Sequence, residues 1–215
     1  MGVRYECDTL RNNTEPDMVP AQLKEKIMRE IRPAIMLFLI FTVLCGGIYP
    51  ATVTTIASLL FSDQAGGSLL TDQDNRVVGS SLIGQPFSVP EYFWSRPSAT
   101  AGFAYNPLAS GGSNYSQTNP DFIKKVRDRV AILRESGVAG TIPAELVEAS
   151  ASGLDPDITP QAAILQIPRV AKARGMRENE LQQLVESHTE DRLWGIFGQS
   201  RVNVLQLNLA LDGKH

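Results

Sequence analysis

Asp155 and Asp157 bracket Pro156 just ahead of Thr159-Pro160, and this close pair of carboxylates is the chain's one arrangement suited to acid–base work. With one protonated and the other ionised, they would supply a general acid and a general base. The same residues have a plainer use, because aspartates beside a proline make turns and favour the positive end of a following helix. Other chemistries have little material. Histidine occurs only at 188 and 215, which leaves no triad and no histidine-based metal set. His188, late in an amphipathic segment, reads as a helix-end residue. No Gly-x-Ser-x-Gly elbow and no His-Glu-x-x-His motif is present. Asp72 and Asp74 imitate part of a calcium loop, but its glycine and distal glutamate are missing, so turn chemistry accounts for them better. The loop Ser110-Gly111-Gly112-Ser113-Asn114 offers backbone donors to an anion, yet no Gly-Lys-Ser/Thr follows and it is not a Walker loop. The basic run Lys124, Lys125, Arg127, Asp128 and Arg129 reads as a solvated helix surface. With no catalytic and no metal residue standing out, these residues point to an accessory or binding role. A membrane-anchored extracytoplasmic hydrolase or ligand-binding module, with Asp155 and Asp157 as its acids, is the alternative.

The elements that must carry these residues begin with an anchor. Charge is absent from Pro33 to Ser62, while Asp, Glu, Lys and Arg are spread through the rest of the chain. Ten Leu, Ile, Phe or Val residues fall within Ala34–Val53, enough to favour membrane insertion by roughly 3–6 kcal/mol before the polar corrections. Thirty helical residues would reach about 45 Å against a hydrocarbon layer of roughly 30 Å, so a tilted or kinked span fits. A buried core helix is the competing reading. Residues 1–22 read as a disordered cytoplasmic tail, 23–62 as the anchor helix with its hydrophobic span at about 33–58, and 63–215 as an extracytoplasmic domain. Lys24, Lys26, Arg29 and Arg32 precede the span and the next basic residue is Arg76, which keeps the N-terminus in the cytoplasm. Gly46-Gly47 and Pro50 predict a kink, and Thr52, Thr54 and Thr55 either satisfy freed carbonyls or bond a neighbouring helix.

The net charge of −3 gives no reason to expect a nucleic-acid partner. Both cysteines, Cys7 and Cys45, precede the outer domain, which therefore relies on an apolar core or a partner surface rather than disulfides. Gly66-Gly67-Ser68 reads as a hinge, and Ser68–Thr71, a turn at 72–75 and Arg76–Ser81 read as a hairpin. The Pro, Gly, Ser and aromatic-rich stretch Gly84–Asn119 is long for a structureless loop, so it packs through its aromatics or meets a partner. Asn119-Pro120 and Thr159-Pro160 predict helix starts, Pro168 should kink or divide the helix Gln161–Lys172, and Glu178–His188 is a third helix. Arg201–Leu211 fits both periods, with helix preferred and Ser200 as its cap. The fold class is α+β: one N-terminal transmembrane helix, then a mixed, helix-dominated domain.

Several strings then carry a family resemblance. They are Gly47-Ile48-Tyr49-Pro50, Ala65-Gly66-Gly67-Ser68-Leu69, Val78-Gly79-Ser80-Ser81-Leu82-Ile83-Gly84-Gln85 and Arg96-Pro97-Ser98-Ala99-Thr100. Tyr105-Asn106-Pro107, Ser110–Asn114, Ile142-Pro143, Ser152-Gly153-Leu154-Asp155-Pro156, Gln166 with Arg169-Val170-Ala171, and Arg201-Val202-Asn203-Val204-Leu205 follow in order. From about Arg32 to Asp212 the chain resembles the KdpC family, a subunit of the bacterial potassium-transporting P-type ATPase complex KdpFABC. It departs from the family pattern at Asp157, where histidine is common, at Trp94-Ser95, where His-Gly is frequent, and at Gln199-Ser200, where Glu-Pro is frequent.

The resemblance implies a non-catalytic accessory subunit of a high-affinity potassium uptake pump in the cell inner membrane. Its partners would be channel-like KdpA, ATP-hydrolysing KdpB and the small peptide KdpF. ATP and K+ would be handled by the complex, with no cofactor bound by this chain. The family is described as a catalytic chaperone that raises the ATP affinity of KdpB, and the glutamine matched by Gln166 is its proposed nucleotide contact. On the topology read from the flanking charges, Gln166 lies outside and ATP inside, about 30 Å of hydrocarbon apart. Any effect on ATP affinity would then be a coupling through the pump's conformations. Gly46, Gly47, Tyr49, Pro50 and Thr54 would form the partner-facing stripe of the membrane helix.

Overall fold

A computed structural model describes residues 21–72 and 74–213. The expected disordered tail lies, as far as residue 20, outside the described residues. Along the chain, two compact units divide between Leu60 and Phe61.

The first unit is helical: α1 (Ala21–Val43), one π-helical turn (Leu44–Ile48) and α2 (Tyr49–Leu60). Within it, Met28–Leu60 is long and apolar enough to cross a membrane, and none of its most apolar window is buried. A core helix of a soluble domain would have to bury that surface, so the competing reading fails. The kink predicted at Gly46-Gly47 and Pro50 takes the form of the π turn, in which the Tyr49 N–H bonds the Leu44 carbonyl five residues back. Pro50 has no N–H to give, and its ring would press on the carbonyl four residues before it. Widening the turn by one residue removes that conflict.

The second unit opens with a short helix, α3 (Ser62–Ala65), and the antiparallel hairpin β1 (Leu69–Thr71) and β2 (Val77–Ser80). Turn chemistry is visible at Asp72, whose Oδ1 accepts from the Asp74 and Arg76 N–H groups at 2.9 Å each. The Gly66–Ser68 segment read as a hinge is tied down: the Gly67 carbonyl accepts from the Ser80 hydroxyl and the Ser68 carbonyl from the Ser81 N–H. After the hairpin the chain runs to residue 119 without a strand and with one 3-10 turn, Pro107–Ala109. It is held by its aromatics, with Phe93 fully buried and Tyr105 nearly so.

Helix α4 (Pro120–Glu135) starts where expected, the Asn119 side chain accepting from the Asp121 and Phe122 N–H groups. Helix α5 (Pro160–Arg174) is capped by the Thr159 hydroxyl and ends on Gly175 in the left-handed conformation at φ 66°. It passes through Pro168 without dividing, which removes the second of the two expected outcomes, a kink or a division. Pro168 sits on the exposed face, where the carbonyl of the likewise exposed Ile164, deprived of its donor, can turn to water. Helix α6 (Glu178–Ser187) follows, with His188 as its C-cap.

The C-terminal stretch is split. A three-stranded antiparallel sheet places β5 (Arg201–Asn203) between β3 (Asp157–Ile158) and β4 (Thr189–Glu190), and β5 runs straight into α7 (Val204–Leu211). Asn203, not Ser200, caps α7 by accepting from the Gln206 N–H. Ser200 instead donates to Asp191. The core lies between α5, α6, α7 and the sheet, around Ile158, Ile167, Val170, Leu181, Val185, Val202, Val204 and Leu207, each at most 4% exposed. The unit is α+β with helix dominant.

Candidate functional site

Gln166, the one residue matched to a proposed nucleotide contact, sits on the inner face of α5 with 0% of its surface exposed. Its Oε1 accepts from the Trp94 N–H at 2.8 Å and from Arg169 Nη2 at 2.7 Å. Its Nε2 donates to the Trp94 and Ala162 carbonyls at 3.2 Å each. A carboxamide has two lone pairs and two N–H bonds to offer, and all four are used inside the domain.

Asn208 on α7 repeats the device one residue upstream. Its Oδ1 accepts from the Phe93 N–H at 2.9 Å and its Nδ2 donates to the Phe93 carbonyl at 3.0 Å. Two side-chain amides therefore stand in for a neighbouring strand against the backbone of Phe93-Trp94, which satisfies buried peptide groups that have no sheet to join. Arg169 completes the cluster. It is 5% exposed, donates from Nη1 to the Pro90 carbonyl at 2.6 Å, and lies 4.1 Å from the Trp94 ring centroid. Burial lowers its pKa to about 10. Among the described residues no carboxylate pairs with it, and its charge is met by carbonyls, an amide oxygen and the face of the indole. Trp94 and Arg169 entered the sequence reading only through the family resemblance, and Asn208 not at all; no site role was read for any of the three. Asn208, an amide flanked on both sides by leucine inside the run 205–211, was the signal that could have found them.

Asp155 and Asp157 do come together, as braces of a turn. Asp155 Oδ2 accepts from Arg96 Nη1 at 2.7 Å and its Oδ1 from the Asp157 N–H at 3.1 Å. Asp157 accepts from Asn203 Nδ2 at 3.3 Å and lies 3.3 Å from Arg201 Nε. Burial pushes the Asp157 carboxyl above its ordinary range, with Arg201 opposing. Arg201 also reaches Glu190 at 2.7 Å, so the charges fasten β3, β4 and β5 to one another. Among the described residues no cluster of three His, Cys, Asp or Glu side chains is placed to hold a metal.

In the membrane-type helix, Gly46 and Gly47 fall inside the π turn, and a Cβ built on either would meet nothing within 4 Å. They leave shallow notches on a surface that this unit does not fill. Thr52 and Thr55 satisfy the Ile48 and Ala51 carbonyls of their own helix, each at 2.8 Å. The Thr54 hydroxyl makes no bond among the described residues, although its carbonyl accepts from Ser58. Tyr49 is 65% exposed. Gly46, Pro50 and Thr54 recur at four-residue spacing along this helix.

Residues 31–213 match the family model described as KdpC: K+-transporting ATPase, c chain. The chain is 63% identical to the potassium-transporting ATPase KdpC subunit of Geotalea uraniireducens over 86% of its own length and 98% of the relative's. It is 62% identical to that of Geobacter metallireducens over the same shares, and 52% identical to that of Burkholderia cenocepacia over 85% of its length and 95% of the relative's. A match covering the hairpin, the Phe93-Trp94 clamp, the braced Asp155 turn and most of the apolar helix leaves one conclusion: the chain belongs to the KdpC family of potassium-transporting ATPase subunits.

Proposed function

We propose that this subunit acts beside KdpA, KdpB and KdpF in the inner membrane and raises the ATP affinity of KdpB through the conformations of the pump, without itself binding nucleotide or catalysing a reaction. Its N-terminus lies in the cytoplasm and its second unit on the outer side, because four basic residues precede the apolar span and none follows until Arg76. The observation that carries the reading is the closed hydrogen-bond account of Gln166, which leaves no donor or acceptor for a phosphate, ribose or base.

A subunit that contacts two states of a pump unequally shifts their balance, and coupling free energies of about 1–3 kcal/mol change a distant affinity by roughly 5- to 150-fold. The contacts that differ would run along Gly46, Gly47, Tyr49, Pro50 and Thr54 in the membrane and over the outer domain. ATP and K+ are then ligands of the assembled pump. Photolabelling the complete complex with a photoreactive ATP analogue, followed by peptide mapping, tests this. Label confined to KdpB is the expected result, and label in the α5 segment around Gln166 would overturn the reading.

A further inference from the structure

The glycine-serine loop and the basic helix face, each bland when read alone, meet in one cleft. A cavity of 340 Å³ opens between Gly112, Ser113 and Tyr115 on one segment, Thr100 on another, and Lys125 and Arg129 on α4. No aspartate or glutamate lines it. Lys125 and Arg129 stand four residues apart on the same helix face, so their like charges repel. Neither pairs with a carboxylate among the described residues. Lys125 Nζ reaches the Tyr115 hydroxyl at 3.0 Å and lies 4.8 Å from that ring's centroid. Arg129 gives one N–H to the Val147 carbonyl at 2.7 Å. Desolvation holds the half-buried Arg129 guanidinium below its usual range, a cost that an incoming anion would relieve.

The remaining donors converge on the same space. Tyr115 accepts from Lys125 and keeps its own proton to give, and the Ser113 hydroxyl makes no bond among the described residues. The loop is held in place, with the Gly111 N–H and the Ser110 hydroxyl both bonded to the Ser152 carbonyl at 2.8 and 3.0 Å. Gly112 passes so close to the next segment that a Cβ there would come within 3.0 Å of the Ala151 carbonyl oxygen. Donors fixed on separate segments suit a tetrahedral group, whereas a planar carboxylate would be served by one guanidinium fork alone.

We propose that this cleft is a binding site for a phosphate-class oxyanion, either free phosphate or the phosphate of a lipid head group. Two cations match the near-dianionic charge of a phosphate monoester at neutral pH. The site is independent of how the subunit acts on ATP affinity, and the test uses the isolated full chain in detergent.

Inorganic phosphate is titrated against chloride at matched ionic strength, with thermal unfolding and 31P line broadening as readouts. Saturable binding is expected, weakened about tenfold in Lys125→Gln and less in Tyr115→Phe, neither of which disturbs the core. Glycerol 3-phosphate, the polar end of a lipid without its chains, forms the second arm. Tighter binding than phosphate assigns the site to a head group, and equal or weaker binding assigns it to the free anion. Absence of a saturable response to both probes, or an unchanged affinity in Lys125→Gln, overturns the proposal.

Discussion

Replacing Gln166 with methionine separates a structural amide from a ligand. Methionine matches glutamine closely in length and volume, so the cavity contribution stays small and the change isolates hydrogen bonding. Trp94 would be left with a buried N–H and carbonyl facing a thioether, and Arg169 would lose the Oε1 acceptor while its Nε already lacks a partner. An unsatisfied buried backbone group costs about 1–3 kcal/mol, and a lost bond to a charged group about 1.5–3 kcal/mol. Together the two backbone groups and the charged bond destabilise the second unit by roughly 3.5–9 kcal/mol, a large part of the 5–15 kcal/mol typical of a folded domain. For a chain of this size that is a fall in Tm on the order of 10 °C. Thermal unfolding of the full chain in detergent, followed by fluorescence of Trp94 stacked on Arg169, measures it. An unchanged Tm together with a weaker ATP affinity of the assembled pump would refute the reasoning, because it would show the amide to be spare in the fold and used by nucleotide.

Gly46→Leu and Gly47→Leu should leave the isolated chain as helical as before, since nothing in the unit lies where the new side chain would go. Recovery of the other pump subunits with the tagged chain should fall roughly tenfold, as expected when a close helix approach is blocked, and full recovery would remove the proposed partner face. Asp157 supplies a pH signature. Its folded pKa lies above the ordinary 3.8, chiefly through burial, so between those two values the folded state keeps a proton that the unfolded chain has released. Stability contributed at this site therefore falls as pH rises through that window. Asp157→Asn should flatten the stability curve there while Arg201 keeps Glu190 as partner, and unfolding scans at stepped pH would show the slope persisting if the assignment is wrong.

Local chemistry was legible wherever a few adjacent residues settle the matter. The apolar run had to be a helix that avoids burial in its own chain, because lipid offers backbone groups no partner. Asn119-Pro120 and Thr159-Pro160 named their helix starts, since a cap acts across only three residues. Asp72 announced its turn for the same reason. The leucine run 205–211 was ambiguous because α7 is buried almost all round, and burial on every side erases the polar face from which a period is read. Pro168 left a kink and a division both open because its effect depends on which face of α5 meets water, which the sequence around it does not state.

The sequence by itself determined the anchor, its orientation signal, the family and the helix starts, all of them properties of short or continuous stretches. The tertiary structure alone decided what Gln166 does, because two of the four bonds that exhaust its amide go to Trp94, 72 residues away, and its neighbouring clamp joins residues 115 apart. It likewise brought a loop at 112–115 against a helix face at 125–129. Hydrogen-bond capacity and uncompensated charge are properties of a neighbourhood, and neighbourhoods of this kind exist only once the chain has folded.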